Sequence, residues 1–278
     1  MLRDQQQLPA ALAVTCPAGW GLPALMADLA LDLLETSSAQ PITELAHPDF
    51  RWLEADGPEI KIDQVRRLVE FAVQTPQLAP RKVAVLLDAH LLNRAAANAL
   101  LKTLEEPPPN THLLLATGHW GKVMPTVRSR CQRYAVPADA ARAADWLQQQ
   151  GVQAGTMDLA LAGFAPLQLR DELVEAGHVS FAEGLDKWLA GVPRKPLPTA
   201  VDELLAGDVG QFLARWYRRL SLALQDKDID GLALDARGVH QFADLLLNTR
   251  RQIETLNSAN DRLLCEALLV EWVRLCRR

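Results

Sequence analysis

The sequence contains no run of about 18 consecutive apolar residues, the length that a membrane-spanning helix requires. Its first residues, from Met1 to Gln7, lack the apolar core of a signal peptide. Cysteine is also scarce, and none of the four forms a Cys-x-x-Cys pair: Cys16, Cys131, Cys265 and Cys276. These absences argue against a membrane protein, a secreted disulfide scaffold and a zinc site of clustered thiols. We therefore expect a cytoplasmic chain that holds no metal.

An excess of basic residues is missing as well. The formal net charge of the 278 residues is −5, so bulk electrostatic attraction to nucleic acid is not expected, although a local basic stripe remains possible. Hydrophobic residues make up 49% of the chain and charged residues 23%, as in ordinary globular proteins. The length suits two or three domains of about 100–200 residues each.

The first half of the chain alternates short apolar runs with helical patterns. The apolar runs, near residues 11–15, 50–54, 83–88, 113–117 and 132–136, are typical of strands buried on both faces of a parallel sheet. In the segment 91–106 apolar residues recur every four positions, and Pro107 predicts that this helix stops at Glu106. The pattern predicts an α/β domain over residues 1–137, a doubly wound sheet of five parallel strands.

Strands disappear after Pro137, and the remainder of the sequence reads as helical. We predict a small helical domain over residues 138–190 and a larger helical domain over residues 199–278. Between them, residues 191–198 contain three prolines in eight positions, which predicts a stiff linker.

A glycine-containing loop follows the first predicted strand, at the place where a phosphate-binding loop would lie. Such a loop requires Gly-x-x-x-x-Gly-Lys-[Ser/Thr], because backbone amides surround the phosphate, lysine neutralises it and the hydroxyl binds magnesium. When the pattern is aligned on Gly21, the first glycine is Cys16, the lysine is Leu22 and the hydroxyl is Pro23. The shape of the loop, which also contains Gly19, can persist, but its chemistry is lost. We expect neither ATP hydrolysis nor a bound cofactor.

Three strings of residues together resemble one known family. They are Asn93 to Pro108 (NRAAANALLKTLEEPP), Pro125 to Gln132 (PTVRSRCQ), and His47-Pro48-Asp49 with the segment 60–66. They look like the delta-prime subunits of the bacterial DNA polymerase III clamp loader, in the AAA+ superfamily. The similarity is dense over residues 45–137 and returns near the C-terminus, at Leu256-Asn257 and over residues 263–272.

The resemblance implies a fold and a function. The α/β domain would be an AAA+ domain, followed by a helical lid domain and a helical collar domain that assembles the subunits. The subunit would not hydrolyse ATP, but would belong to the DNA polymerase III holoenzyme. Its partners would be motor subunits and a delta subunit in a five-membered ring that loads the sliding clamp on primed DNA. The motif Ser129-Arg130-Cys131 would place Arg130 as an arginine finger in a neighbour's ATP site. Without the motif, Arg130 reads as a surface arginine in a salt bridge.

The resemblance also locates a degenerate acid site and a possible DNA contact. Asp88 and Ala89 occupy the place of a magnesium-binding Asp-Glu pair, and alanine supplies no carboxylate. Asp88 alternatively caps the helix that follows. Arg94 and Lys102 lie eight residues apart on the next helix and could approach template phosphates, although a solvated helix face is the ordinary interpretation.

Two departures from the family limit what is carried over. Many members bind zinc through four cysteines before the His-Pro-Asp strand, whereas residues 35–46 contain no cysteine here, so no zinc is expected. The segment before the first strand is short, which leaves open a missing element or an internal start. Two other functions stay open: an inert scaffold of the ring without a finger, and an autonomous AAA+ ATPase.

Overall fold

A computed structural model describes residues 8–38, 40–175, 180–226, 235–255 and 261–277 of the chain. The chain forms two compact units, Met1–Asp139 and Ala140–Arg278. Leu256 and Asn257, which carry part of the C-terminal resemblance, lie outside the described residues. No helix in the described ranges is both long enough and apolar enough to cross a membrane.

The first unit is built on one sheet of five strands that are parallel throughout. Its strand order is β2-β3-β4-β1-β5, with bounds β1 Ala11–Thr15, β2 Phe50–Leu53, β3 Lys82–Leu86, β4 Thr111–Thr117 and β5 Gln132–Ala135. The three central strands are buried along their full length. This burial on both faces explains their continuous apolar runs, since a strand with one solvated face would alternate.

Helices cover both faces of this sheet, and their bounds are α1 Leu22–Leu34, α2 Ile62–Ala72, α3 Arg94–Glu105 and α4 Pro125–Arg128. Helix α1 packs on one face, against alternate strand residues such as Val14 and Val85. The other three helices pack on the opposite face, against the intervening residues such as Ala13 and Leu86. The predicted doubly wound five-stranded sheet is therefore confirmed.

Helix α3 shows why its sequence forms a helix between fixed ends. The Asn93 side chain accepts a hydrogen bond from the Ala96 amide at 2.9 Å, which satisfies a free donor at the N-terminus. The helix ends at Glu105, with Glu106 as its C-cap, because Pro107 disfavours helical backbone in the residue before it. Residues 89–91, which we expected to lie near its start, form a separate 3-10 turn.

A buried ion pair holds the loop between α2 and β3. Asp49 and Lys82 are both fully buried, with 3.4 Å between Asp49 Oδ1 and Lys82 Nζ. The Asp49 carboxylate also accepts hydrogen bonds from the amides of Gln77, Leu78 and Ala79 at 2.8, 2.7 and 2.9 Å. One side chain from the start of β2 therefore fixes three consecutive residues of a distant loop.

All the regular elements in the described part of the second unit are helices. Its helices are α5 Ala140–Gln149, α6 Thr156–Leu161, α7 Pro166–Glu175, α8 Phe181–Gly191, α9 Leu197–Leu205, α10 Val209–Asp226, α11 Ala236–Thr255 and α12 Asp261–Cys276. Trp216 and Trp272, both fully buried, lie at the centre of its core with ring centroids 5.2 Å apart in an edge-to-face arrangement. The indole N–H of Trp272 donates to the Leu189 carbonyl at 3.1 Å, so the buried donor is satisfied.

The proline-rich segment 191–198 differs from the stiff linker that the sequence suggested. Val192–Arg194 form a 3-10 turn directly after α8, and α9 begins at Leu197 with a proline in its first turn. Proline fits this position because the first helical amides have no partner within the helix. Val192 is buried in the same core as α8 and α12. The prolines therefore shape a packed turn between two helices, while the lid and collar bounds of 138–190 and 199–278 stay predictions.

Candidate functional site

Arg130 lies between α4 and β5, and its side chain folds back on the first unit. Its guanidinium pairs with Glu105 at the end of α3, through an Nε–Oε1 hydrogen bond of 2.5 Å. Its Nη1 donates to the Thr126 carbonyl at 2.9 Å and to Ser129 Oγ at 3.2 Å. Arg130 is thus in a surface salt bridge, as one of the two sequence interpretations expected, and its position is defined before any partner binds.

The sheet register places Arg130 far from the chain's own degenerate loop. Gln132, the first residue of β5, pairs with Leu12, whereas Cys16 follows the other end of β1. Cys16 comes four residues after Leu12, which at about 3.3 Å per strand residue puts it roughly 13 Å further along the strand direction than Gln132. Arg130 precedes Gln132 by two residues, so it lies further still from Cys16. Since parallel strands share one direction, Arg130 and the loop lie at opposite edges of the sheet.

The glycine-containing loop after β1 has two residues in the left-handed backbone region and lacks the side chains of a phosphate-binding loop. Gly19 and Gly21 have φ angles of +74° and +72°, a region that favours glycine. Helix α1 begins directly at Leu22, and Pro23 in its first turn has no amide hydrogen to donate. Cys16 is buried at the end of β1, and burial raises the pKa of its thiol. The loop provides neither the lysine charge nor the hydroxyl that a triphosphate with magnesium needs.

The acid site retains one carboxylate. Asp88 is exposed, with φ +49°, and its side chain caps no helix, contrary to the alternative interpretation. Strand β3 already ends at Leu86, so Asp88 stands in the turn that follows the strand. Ala89 is buried and presents a methyl group where a catalytic glutamate would be needed. The alanine side chain has no group that can act as a general base for water.

A pair of histidines, which the sequence reading did not single out, lies beside Asp88. His90 Nδ1 is 3.0 Å from the hydroxyl of Thr117 and 3.9 Å from Asp88 Oδ1, and its ring meets the His119 ring edge-on at 4.7 Å. Burial lowers the pKa of His90. The charges of His119 and Lys122 lower it further, whereas the Asp88 carboxylate raises it. His90 is therefore held neutral at pH 7, which makes it a packing and hydrogen-bonding group.

Ser129 and Cys131, the neighbours of Arg130, have local roles. The Ser129 hydroxyl donates to the Thr126 carbonyl at 3.1 Å and accepts from Arg130, so it ties the turn together. Cys131 packs against the core on the α3 face of the sheet. Burial raises the pKa of its thiol to about 11, so the thiol stays protonated and is not a nucleophile. Ser129 therefore positions the Arg130 side chain, whereas Cys131 anchors the chain to the core beside it.

Arg94 and Lys102 are both exposed on α3, as either of their two interpretations requires. Their spacing of eight residues corresponds to roughly 80° around the helix, so their side chains leave adjacent sides of it. Their exposure leaves the DNA contact a prediction.

Among the described residues, no group of three or more histidine, cysteine or acidic side chains could hold a metal ion.

Comparisons with known proteins agree with the resemblance noted above. A family model described as "DNA polymerase III, delta subunit" matches residues 28–140. DNA polymerase III subunit delta′ of Pseudomonas aeruginosa is 34% identical over 93% of this chain and 90% of that protein. The subunit delta′ of Haemophilus influenzae is 31% identical over 79% of this chain and 73% of that protein.

The solved structures add a match of fold. A DNA polymerase III gamma subunit-related protein from Thermotoga maritima has a TM-score of 0.56 and 18% identity, over 98% of this chain and 96% of that one. Such a likeness shows the common fold, an α/β unit followed by helices. Because the Pseudomonas relative is similar along nearly its whole length, this chain belongs to the family of delta-prime subunits of the bacterial DNA polymerase III clamp loader.

Proposed function

We propose that this chain is a non-hydrolysing clamp-loader subunit that activates ATP hydrolysis in a neighbouring motor subunit through Arg130. It would help to load the sliding clamp on primed DNA, in a ring with the motor subunits and a delta subunit. The observation that carries the proposal is the position of Arg130, at the sheet edge opposite the chain's own loop. An arginine at that edge can serve a nucleotide held by another subunit but not one held by its own.

The contacts of Arg130 are compatible with release to a phosphate. The side chains of Arg130 and Glu105 are 31% and 48% exposed, and such surface ion pairs contribute about 0–1 kcal/mol. A triphosphate carries more negative charge than one carboxylate, and two of its oxygens can accept hydrogen bonds from the planar guanidinium at once. Exchange of Glu105 for a phosphate therefore costs little free energy. A finger supplied in trans accelerates well-studied phosphoryl transfers by ~10³–10⁵.

The absence of intrinsic hydrolysis is supported by three residues at two separate sites. Leu22 and Pro23 replace the lysine and the hydroxyl of the loop, and Ala89 replaces the second acid. Restoring a single position would not restore the chemistry, because phosphate binding, magnesium binding and activation of water depend on different groups. No bound cofactor is part of the proposal.

The helices of the second unit would supply the lid, over residues 138–190, and the collar that joins the subunits, over residues 199–278. A place in this replication complex would put the chain in the cytoplasm. Direct DNA contact by Arg94 and Lys102 remains a minor part of the proposal. A phosphate contact at either residue would weaken with added salt.

The deciding experiment is clamp- and DNA-stimulated ATP turnover of the reconstituted loader with wild-type chain or with Arg130→Ala. We expect a fall of roughly tenfold or more, with assembly intact on a sizing column. Arg130→Lys keeps the charge but removes the planar fork, so it should recover only part of the activity. Arg66→Ala is the matched control, since Arg66 is an exposed arginine on α2 whose ion pair is with Asp63 in the same helix.

Each alternative predicts a different outcome. An inert scaffold predicts that turnover is unchanged by Arg130→Ala. An autonomous ATPase predicts turnover by the isolated chain, which we expect to remain at the background of a buffer blank. Loss of assembly in Arg130→Ala would show that Arg130 is a structural residue and would refute the finger assignment.

A further inference from the structure

The second unit contains a cavity of about 430 Å³ that no part of the proposed function uses. It lies between α10, α11 and the turn that connects α6 to α7. Three arginines line it, Arg215 and Arg218 from α10 and Arg250 from α11, together with the amide side chains of Gln168 and Gln211. We refer to it as the arginine cavity. In a chain with a net charge of −5, three guanidinium groups around one cavity are a local excess of positive charge.

The arginines of α10 differ in how their charges are compensated. Arg219 forms a bidentate pair with Asp186, at 2.7 and 2.9 Å. Arg215 lies 2.5 Å from the carboxylate of Glu172. Arg218 instead donates to the neutral carbonyl oxygen of Leu161 at 2.7 Å, and within the described part of the chain it forms no ion pair. The cavity therefore contains a guanidinium that is in no ion pair with a carboxylate of the described residues.

The backbone opposite Arg218 leaves room for its guanidinium. Gly163 has a φ angle of +70°, and a Cβ added there would lie 2.8 Å from Nη2 of Arg218. Any other residue would push the guanidinium away from its present position. Burial lowers the pKa of Arg218, and the like charges of Arg250 and Arg215 lower it further, with Glu172 opposing them. A bound anion would relieve this repulsion.

We propose that the arginine cavity binds a phosphate group, carried by a small phosphorylated molecule or by the end of a nucleic-acid strand. The planar, permanently charged guanidinium binds phosphate oxygens in bidentate fashion, and the two glutamine amides offer further donors. The volume exceeds that of a phosphate several-fold, so part of the attached molecule also fits. Asp208, whose Oδ1 accepts the amide hydrogen of Gln211, adds a negative charge at the rim. It disfavours a second anionic group next to the first.

The test uses the full chain and isothermal titration calorimetry with inorganic phosphate, pyrophosphate and, at matched ionic strength, sodium chloride. We expect saturable binding of inorganic phosphate, weaker binding of pyrophosphate because of Asp208, and no saturable binding of chloride. Arg218→Gln should weaken it roughly tenfold or more, because a charge-assisted contact is lost. Arg274→Gln is the matched control and should bind as the wild type does, since Arg274 is 68% exposed on α12 and outside the cavity.

Gly163→Ala provides a second variant that leaves the net charge unchanged. Its methyl group should displace the Arg218 guanidinium, so phosphate binding should weaken although no charge is removed. If Arg218→Gln does not fold, judged by circular dichroism, this variant still tests the geometry. A nucleoside monophosphate and a 5′-phosphorylated primed DNA, titrated separately, identify which source of phosphate is preferred.

Two outcomes would overturn the proposal. One is the absence of saturable phosphate binding by the wild-type chain at matched ionic strength. The other is wild-type affinity in both Arg218→Gln and Gly163→Ala, which would place the phosphate elsewhere. Binding of an acidic peptide in the absence of phosphate binding belongs to the first outcome, and would assign the cavity to a carboxylate of a protein partner.

Discussion

The buried pair of Asp49 and Lys82 allows a quantitative prediction about the stability of the first unit. Asp49→Asn keeps the size of the side chain but leaves one acceptor oxygen in place of two. Its new NH₂ group must face the loop amides or the Lys82 ammonium, all of which are donors. The substitution therefore breaks loop hydrogen bonds and leaves a fully buried cation without its counter-charge.

The magnitude follows from the carboxylate's environment. Burial on its own would raise the pKa of Asp49, but the amides of Leu78, Ala79 and Gln77 and the Lys82 ammonium outweigh it and lower the pKa to about 2. Relative to the ordinary value of 3.8, this difference corresponds to about 2 kcal/mol of folding stability at neutral pH. Removing one partner of a buried pair typically costs about 3–5 kcal/mol, because the other charge remains. The linkage value of about 2 kcal/mol covers only the carboxylate's own ionisation, and the uncompensated charge of Lys82 adds to it, so we expect Asp49→Asn to lose about 3–5 kcal/mol.

Lys82→Met supplies the matched comparison, since methionine fills a similar volume without charge. Asp49 would keep its three backbone donors, so this substitution should destabilise less than Asp49→Asn does. The double variant has no Lys82 ammonium, so it lacks the buried, unpaired charge that makes Asp49→Asn strongly destabilising. Its loss should fall below the sum of the two single losses by about 1–3 kcal/mol, as for residues in direct contact.

Urea unfolding, followed by circular dichroism, measures these differences, and hydrogen exchange at residues 77–79 measures release of the loop. The folded pKa of Asp49 is depressed, so its contribution is complete above pH 3.8 and is lost as the pH falls through about 2. The gap in unfolding free energy between wild type and Asp49→Asn should narrow in that window, by at most the linkage contribution of about 2 kcal/mol. A loss below about 1 kcal/mol at pH 7, or a gap that is constant down to pH 2, would refute the reasoning.

Three further predictions concern other contacts. Glu105→Gln should change loader turnover by no more than about fivefold, because the exposed pair with Arg130 contributes at most about 1 kcal/mol. A loss as large as that of Arg130→Ala would contradict this prediction. Trp272→Ala should destabilise the helical unit by about 3–5 kcal/mol in chemical denaturation, and a loss under 1 kcal/mol would contradict its central packing. Alkylation of Cys131, measured by mass spectrometry, should be slow at pH 8 and should accelerate towards pH 11, where its pKa lies. Rapid labelling at pH 8 would contradict this, because it would show an accessible thiolate at that pH.

The sequence predicted the elements that depend on local patterns. All five strands of the sheet lie within two residues of the expected positions, because apolar runs of this length have few alternatives in a parallel sheet. The end of α3 before Pro107 followed from the backbone restriction that proline imposes. His47 forms a local contact of the same kind, since its Nδ1 accepts a hydrogen bond from the amide of Asp49, two residues later, at 3.0 Å.

Contacts between distant residues were not predictable in the same way. Glu105 and Arg130 are 25 residues apart, and Asp49 and Lys82 are 33 apart, so neither pair leaves a periodic signal in the sequence. The lysine of a buried pair reads as an ordinary polar start of a strand. The proline-rich segment 191–198 was ambiguous for a different reason. Its composition predicts a linker, but proline also suits the first turn of a helix, and the burial of Val192 could not be inferred from the sequence.

The positions of the tryptophans give the two compact units different optical properties. In the helical unit Trp216 and Trp272 are fully buried, while Trp146 and Trp188 are partly exposed. All three tryptophans of the α/β unit are partly exposed: Trp20, Trp52 and Trp120. Indoles shielded from water emit at shorter wavelengths than hydrated ones, so a loss of the helical core should shift the emission strongly to the red. Unfolding of the sheet should change it far less. The native protein therefore carries an internal fluorescence signal that distinguishes the melting of one unit from that of the other, without an added dye.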